Sequence, residues 1–81
     1  MKKIWFITGS SRGFGRALTE AVLKAGQSVV ATARRPEQLD GLVARYGSQI
    51  RPVKLDVTSP SDAERAVVFA IEAFGRIDVL V

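Results

Sequence analysis

Four short apolar runs recur along these 81 residues, and each gap between them carries helical periodicity. The runs are Ile4–Ile7, Ser28–Ala33 around Val29-Val30, Arg51–Val57, and Ile77–Val81. In the third, Val53, Leu55 and Val57 fall on alternate positions, as one face of a strand requires. The first gap places Leu18, Ala21, Val22 and Ala25 at i, i+3, i+4 and i+7, one stripe of a helix. The second repeats the pattern with Leu39, Leu42, Val43 and Tyr46, and the third with Ala63, Ala66, Val67, Ala70, Ile71 and Phe74. Gly26, Gly47 and Gly75 stand where such helices stop. Pro36 suits the first turn of the second helix. Ser59-Pro60-Ser61-Asp62 reads as a helix start, with Ser59 as cap and Asp62 completing a capping box. Strands alternating with helices in this way form a parallel sheet through right-handed crossovers. The predicted architecture is α/β, three-layered, with a partial doubly wound parallel sheet of order 3-2-1-4. The first strand then lies inside the sheet, and the fourth forms an edge where a further strand would pair.

Composition removes several functions. The chain has no cysteine, so no disulfide or thiolate metal site is available. It has no histidine, the commonest general base near neutral pH. Its net charge is +4, but the cations are dispersed apart from Lys2-Lys3 and Arg34-Arg35. No aromatic-rich surface accompanies them, so a nucleic-acid partner is not expected. The apolar run after Lys2-Lys3 ends at Thr8, short of the roughly 7–15 residues of a secretory core. No run approaches the roughly 20 apolar residues of a membrane span. A cytoplasmic protein without membrane attachment is the expectation.

The first predicted strand leads into Thr8-Gly9-Ser10-Ser11-Arg12-Gly13-Phe14-Gly15, and a helix follows. A strand, a glycine-rich turn and a helix start make a phosphate site. Backbone N–H groups point outward there, and the helix dipole favours an anion. The spacing Gly9-x3-Gly13-x-Gly15 differs from G-x-G-x-x-G, and no Gly-Lys-Ser/Thr follows to make a Walker loop. An ordinary turn using glycine for its geometry remains the plainer alternative for these residues taken alone.

The end of the second strand sharpens this. In dinucleotide folds an acidic residue at that place holds the ribose 2′-OH of NAD, whereas an arginine accommodates the 2′-phosphate of NADP. Here the residues are Thr32-Ala33-Arg34-Arg35, with no carboxylate before Glu37. A guanidinium holds a phosphate bidentately, while a carboxylate would repel it. Arg12 is placed to reach the same phosphate from within the turn. Solvated surface arginines are the alternative, above all for Arg35. Asp56-Val57 closes the third strand, at the sheet edge where ligands bind in such folds. Asp56 there suits the adenine amino group, or else simply marks a turn into the next helix.

Thr8-Gly9-x-x-x-Gly13-x-Gly15, Ala33-Arg34, Asp56-Val57 and Gly75-Arg76-Ile77-Asp78-Val79-Leu80-Val81 together resemble the short-chain dehydrogenase/reductase family, in its T-G-x-x-x-G-x-G branch. The resemblance spans essentially the whole chain and implies a Rossmann-like fold. It implies that Gly9, Gly13 and Gly15 form the pyrophosphate turn, lined by Ser11, Arg12 and Phe14. Arg34 would select NADP over NAD, and Asp56 and Val57 would hold the adenine. It also implies hydride transfer between NADP(H) and a carbonyl or alcohol substrate, with homo-oligomers for the complete protein.

In that family an Asn-Asn-Ala-Gly segment, a substrate-orienting serine and a Tyr-x-x-x-Lys pair lie beyond the fourth strand. This chain ends at Val81 without them. Residues 1–81 are therefore expected to be the truncated N-terminal cofactor-binding half of the domain, with no catalytic residue and little activity alone. Tyr46, the single tyrosine, lacks a lysine four residues later and is assigned to packing. A non-catalytic adenine-dinucleotide module and a truncated product without independent activity stay open as alternatives.

Overall fold

The computed structural model describes residues 3–11, 13–56 and 58–81. Its strands are β1 (Ile4–Ile7), β2 (Ser28–Ala33), β3 (Ile50–Lys54) and β4 (Val79–Leu80). The α-helices are α1 (Gly13–Lys24), α2 (Asp40–Tyr46) and α3 (Pro60–Phe74). A 3-10 turn, Pro36–Leu39, leads into α2, and another, Gly47–Gln49, follows it. All strand pairs are parallel and the sheet order is β3-β2-β1-β4. The expected α/β, Rossmann-like order therefore holds.

Alternation along the strands divides the core in two. Ile7, Val29, Ala31, Ala33 and Ile50 meet Val22 and Leu23 of α1 and Leu42 of α2 on one face. Phe6, Val30 and Leu55 meet Ala66 and Ala70 of α3 on the other. The central strand β2 is buried at all six positions, as a strand covered on both faces must be. Tyr46 packs against the first of these clusters, which agrees with its assignment to packing.

Several details depart from the sequence expectation. On α3 only Ala66 and Ala70 of the expected stripe are buried and Phe74 is half-buried, whereas Ala63, Val67 and Ile71 are exposed. β3 runs Ile50–Lys54 against the expected Arg51–Val57, and β4 is confined to Val79–Leu80. The stripe of α1 is rotated: Thr19, Val22 and Leu23 are buried, Leu18 is half-buried, and Ala21 and Ala25 are exposed. Thr19 tolerates burial because its hydroxyl donates to the Gly15 carbonyl at 2.7 Å. The start of α3 is also not a reciprocal box. Ser59 Oγ accepts from Asp62 N–H at 3.4 Å, but the Asp62 carboxylate accepts from Asp56 N–H at 3.1 Å. The carboxylate thus ties the helix start to the end of β3 rather than to the cap residue.

The amino ends of β1 and β4 are fastened together. Ile4 N–H donates to Asp78 Oδ2 at 2.8 Å, and Asp78 N–H donates to the Ile4 carbonyl at 2.8 Å. Arg76 Nε donates to both carboxylate oxygens of Asp78, at 3.1 and 3.0 Å. Among the described residues no helix is long and apolar enough to cross a membrane.

Candidate functional site

The carboxyl ends of the strands carry the groups that the sequence singles out. β1 ends at Ile7, and the chain then turns through Thr8–Ser11 into α1. Gly9 and Gly13 adopt φ of 62° and 64°, a region that side chains rarely enter. A Cβ built on either would meet nothing within 4 Å. The space above the turn is therefore open. Gly15 is the opposite case, since a Cβ there would collide with the Gly9 carbonyl. The absence of a side chain at Gly15 lets α1 begin directly under the turn.

Beneath, the turn is pinned. Ser10 is fully buried, and its Oγ donates to the Ile7 carbonyl at 2.8 Å. Its N–H donates to the Thr32 carbonyl at 2.9 Å. Thr32 Oγ1 donates to the same Ile7 carbonyl at 3.2 Å. On the other side Thr8 N–H and Oγ1 both donate to the Val81 carbonyl, at 3.1 Å each. The turn is thus anchored to both neighbours of β1. Sequence reasoning favours the half-buried Ser11 and passes over Ser10. A serine bonding back to a carbonyl three residues earlier is a recognisable local pattern that can find it.

The first turn of α1 contains no acidic side chain, whereas α3 has Asp62 in that place. The positive end of the α1 dipole is left for an external anion. Phe14 follows Gly13 with 77% of its surface exposed. Open space at the glycines and the lack of a competing carboxylate in the first turn of α1 together fit a pyrophosphate.

Beside the turn, at the ends of β2 and β3, lies a cleft of about 500 Å³ lined by Arg34, Arg35, Gln38, Lys54 and Asp56. It brings together Arg34 and Asp56, which are 22 positions apart in sequence. The glycine turn does not line this cleft; the Ser10–Thr32 bond joins the two regions two residues before Arg34. Arg12 and Val57, also expected at the site, lie outside the described residues. Asp56 Oδ1 accepts from Thr58 N–H at 2.9 Å and Thr58 Oγ1 at 2.6 Å. These bonds, with the charges of Arg34 and Lys54, hold its carboxyl below the ordinary value. It stays an acceptor throughout the neutral range.

Lys54 and Gln38 join the site without being singled out by the sequence. The signal for Lys54 is a cation between Val53 and Leu55 at the carboxyl end of a strand.

A profile described as short chain dehydrogenase matches residues 3–81. Oxidoreductase BOA17 of Botryotinia fuckeliana is 56% identical over 82 residues, covering 100% of this chain and 30% of its own. A short-chain dehydrogenase structure from Streptomyces avermitilis is 44% identical with a TM-score of 0.94. The match covers 98% of this chain and 29% of that one. A 3-ketoacyl-(acyl-carrier-protein) reductase from Brucella melitensis, complexed with NADH, is 29% identical with a TM-score of 0.88. That match covers 96% of this chain and 32% of the reductase. This chain thus spans about 30% of the length of the curated relatives it matches.

Proposed function

This chain belongs to the short-chain dehydrogenase family, and from that premise we propose that residues 1–81 bind the adenosine and pyrophosphate of NADP. In this reading the backbone of Gly9, Gly13 and Gly15 cradles the pyrophosphate, with Ser11, Arg12 and Phe14 around it. Arg34 holds the ribose 2′-phosphate, and Asp56 and Val57 hold the adenine. The dinucleotide supplies a hydride; the residues here bind and orient it. The protein's reaction is then hydride transfer between NADP(H) and a carbonyl or alcohol substrate. Residues 1–81 form the N-terminal half of the domain and do not turn over alone, since they hold no Tyr-x-x-x-Lys. A cytoplasmic location and a homo-oligomer of the complete protein belong to the same proposal.

One observation carries the cofactor preference: Arg34 opens onto the cleft at the end of β2, at the place where an NAD-binding site offers a carboxylate. Its side chain makes no hydrogen bond or ion pair with another described residue. The NADH held by the similar Brucella reductase supports a nicotinamide dinucleotide as the ligand class. Calorimetric titration with NADP and NAD tests the preference. The chain should bind NADP more tightly, and Arg34→Asp should reverse the order. An Arg34→Asp variant that keeps the original preference would remove the role given to Arg34.

A further inference from the structure

The cleft beside the glycine turn holds more positive charge than a single arginine contact requires. Lys54 closes β3 opposite Ala33, so its side chain stands on the same face of the sheet and next to Arg34 in space. Its neighbours Val53 and Leu55 point the other way, into the core under α3. Lys54 is exposed, and its ammonium forms no hydrogen bond or ion pair with any described residue. Arg34 and Arg35 are exposed in the same cleft, likewise without hydrogen-bond or ion-pair partners for their guanidinium groups among the described residues.

Three cations and the single carboxylate of Asp56 leave this cleft with a net charge of two positives. Asp56 has one oxygen occupied by Thr58, so it neutralises at most one of the three. Gathering like charges costs free energy unless an anion joins them. A phosphate monoester carries about −1.5 to −2 at neutral pH, the charge that this cleft would balance.

We propose that Lys54 is a specificity-determining residue, the ammonium in the cleft that reads the double charge of a ribose-linked phosphate monoester. The inference rests on the cofactor reading given above and deepens it. Arg34 supplies fixed, bidentate geometry, whereas Lys54 supplies a mobile point charge. Lys54 therefore discriminates between a phosphorylated and an unphosphorylated ribose, and it is indifferent to the rest of the nucleotide.

The test is calorimetry of the full chain with 2′,5′-ADP and 5′-AMP at low ionic strength, using Lys54→Gln and Lys54→Arg. Lys54→Gln should weaken 2′,5′-ADP about fivefold, the scale of one exposed charge-assisted contact, and leave 5′-AMP unchanged. Lys54→Arg should restore most of the loss, because it keeps the charge. If Lys54→Gln leaves 2′,5′-ADP unchanged while Arg34→Gln weakens it, Lys54 has no such role and the cofactor reading survives. An equal loss for both nucleotides would mark a structural role and overturn the proposal. Equal binding of both nucleotides by the unsubstituted chain, or none, would remove the cofactor reading and the role of Lys54 together.

Discussion

At the amino ends of the strands, polar groups face one another. Asp78 and Ile4 exchange two bonds, Arg76 closes on the same carboxylate, and Gln49 Nε2 donates to the carbonyls of Leu23 and Gln27 at 3.1 and 3.2 Å. At the carboxyl ends they divide into two groups. Ser10, Thr32 and Thr8 bond inward beneath the turn, while Arg34, Arg35 and Lys54 gather in the cleft beside it without hydrogen-bond or ion-pair partners among the described residues. Folding alone accounts for the amino end and for the first group. Nothing in folding requires the second. The amino end thus carries polar groups bonded within the fold, whereas the carboxyl end carries both bonded groups and exposed cations.

The largest test attacks the bonded groups beneath the turn. Gly15→Ala puts a methyl group onto the Gly9 carbonyl, which is backbone and has little freedom to give. The helix must move or the turn must open, at a cost of about 3 kcal/mol. Urea unfolding should show that loss, and titration should show nucleotide binding lost with it. A Gly15→Ala chain of unchanged stability would mean that α1 is not seated against the turn. Ser10→Ala ranks next. It deletes a hydroxyl buried against the Ile7 carbonyl, and a stability loss of about 1–2 kcal/mol is expected. Equilibrium unfolding of this variant checks whether the pin is structural.

Sequence reasoning reaches the fold because each level of it agrees. Short apolar runs place the strands, Ser59-Pro60 marks the start of α3, and β-α-β order restricts the sheet to few arrangements. It also brings Arg34 and Asp56 to one end of the sheet. It places Gly15 in the turn motif, but it does not reveal that a side chain there, unlike one at Gly41, would have no room. Both are glycines within or at the start of a helix, yet one abuts a carbonyl and the other faces open space. That difference depends on how closely a turn and a helix approach, which no local pattern records. The rotation of the α1 stripe escapes for a similar reason. Thr19 looks polar and therefore external, but the Gly15 carbonyl accepts its hydroxyl. Lys54 is hidden because a lone lysine in a strand reads as an edge charge until the neighbouring strand sets Arg34 beside it.

The amino end makes a smaller, pH-dependent prediction. The Ile4 N–H bond, then the Arg76 bond, hold the Asp78 carboxyl below its ordinary value of 3.8. A carboxyl lowered in the folded state stabilises the fold above its unfolded value. That contribution fades as pH falls through 3.8 and toward the folded value beneath it. Thermal unfolding followed between neutral pH and about pH 3 should therefore show a steeper acid decline for the unsubstituted chain than for Asp78→Asn. Near neutral pH, Asp78→Asn should melt lower. Parallel pH profiles for the two chains would show that the clamp contributes nothing through its charge.

The smallest effect on stability is expected where the largest effect on binding lies. Arg34→Gln and Lys54→Gln remove exposed charges that bond to no described residue, so each should shift the unfolding free energy by less than about 0.5 kcal/mol. Relief of repulsion within the cleft and loss of the attraction to Asp56 oppose each other, and any shift should shrink as salt screens the charges. Denaturant unfolding at low and high ionic strength measures the shift and its screening. A clear loss of stability in either variant would place that cation among the structural groups, and the division between bonded groups and exposed cations would fail. If stability holds while affinity for 2′,5′-ADP falls, the cations in the cleft have no folding role, and their unrelieved repulsion is the free energy that an incoming phosphate recovers.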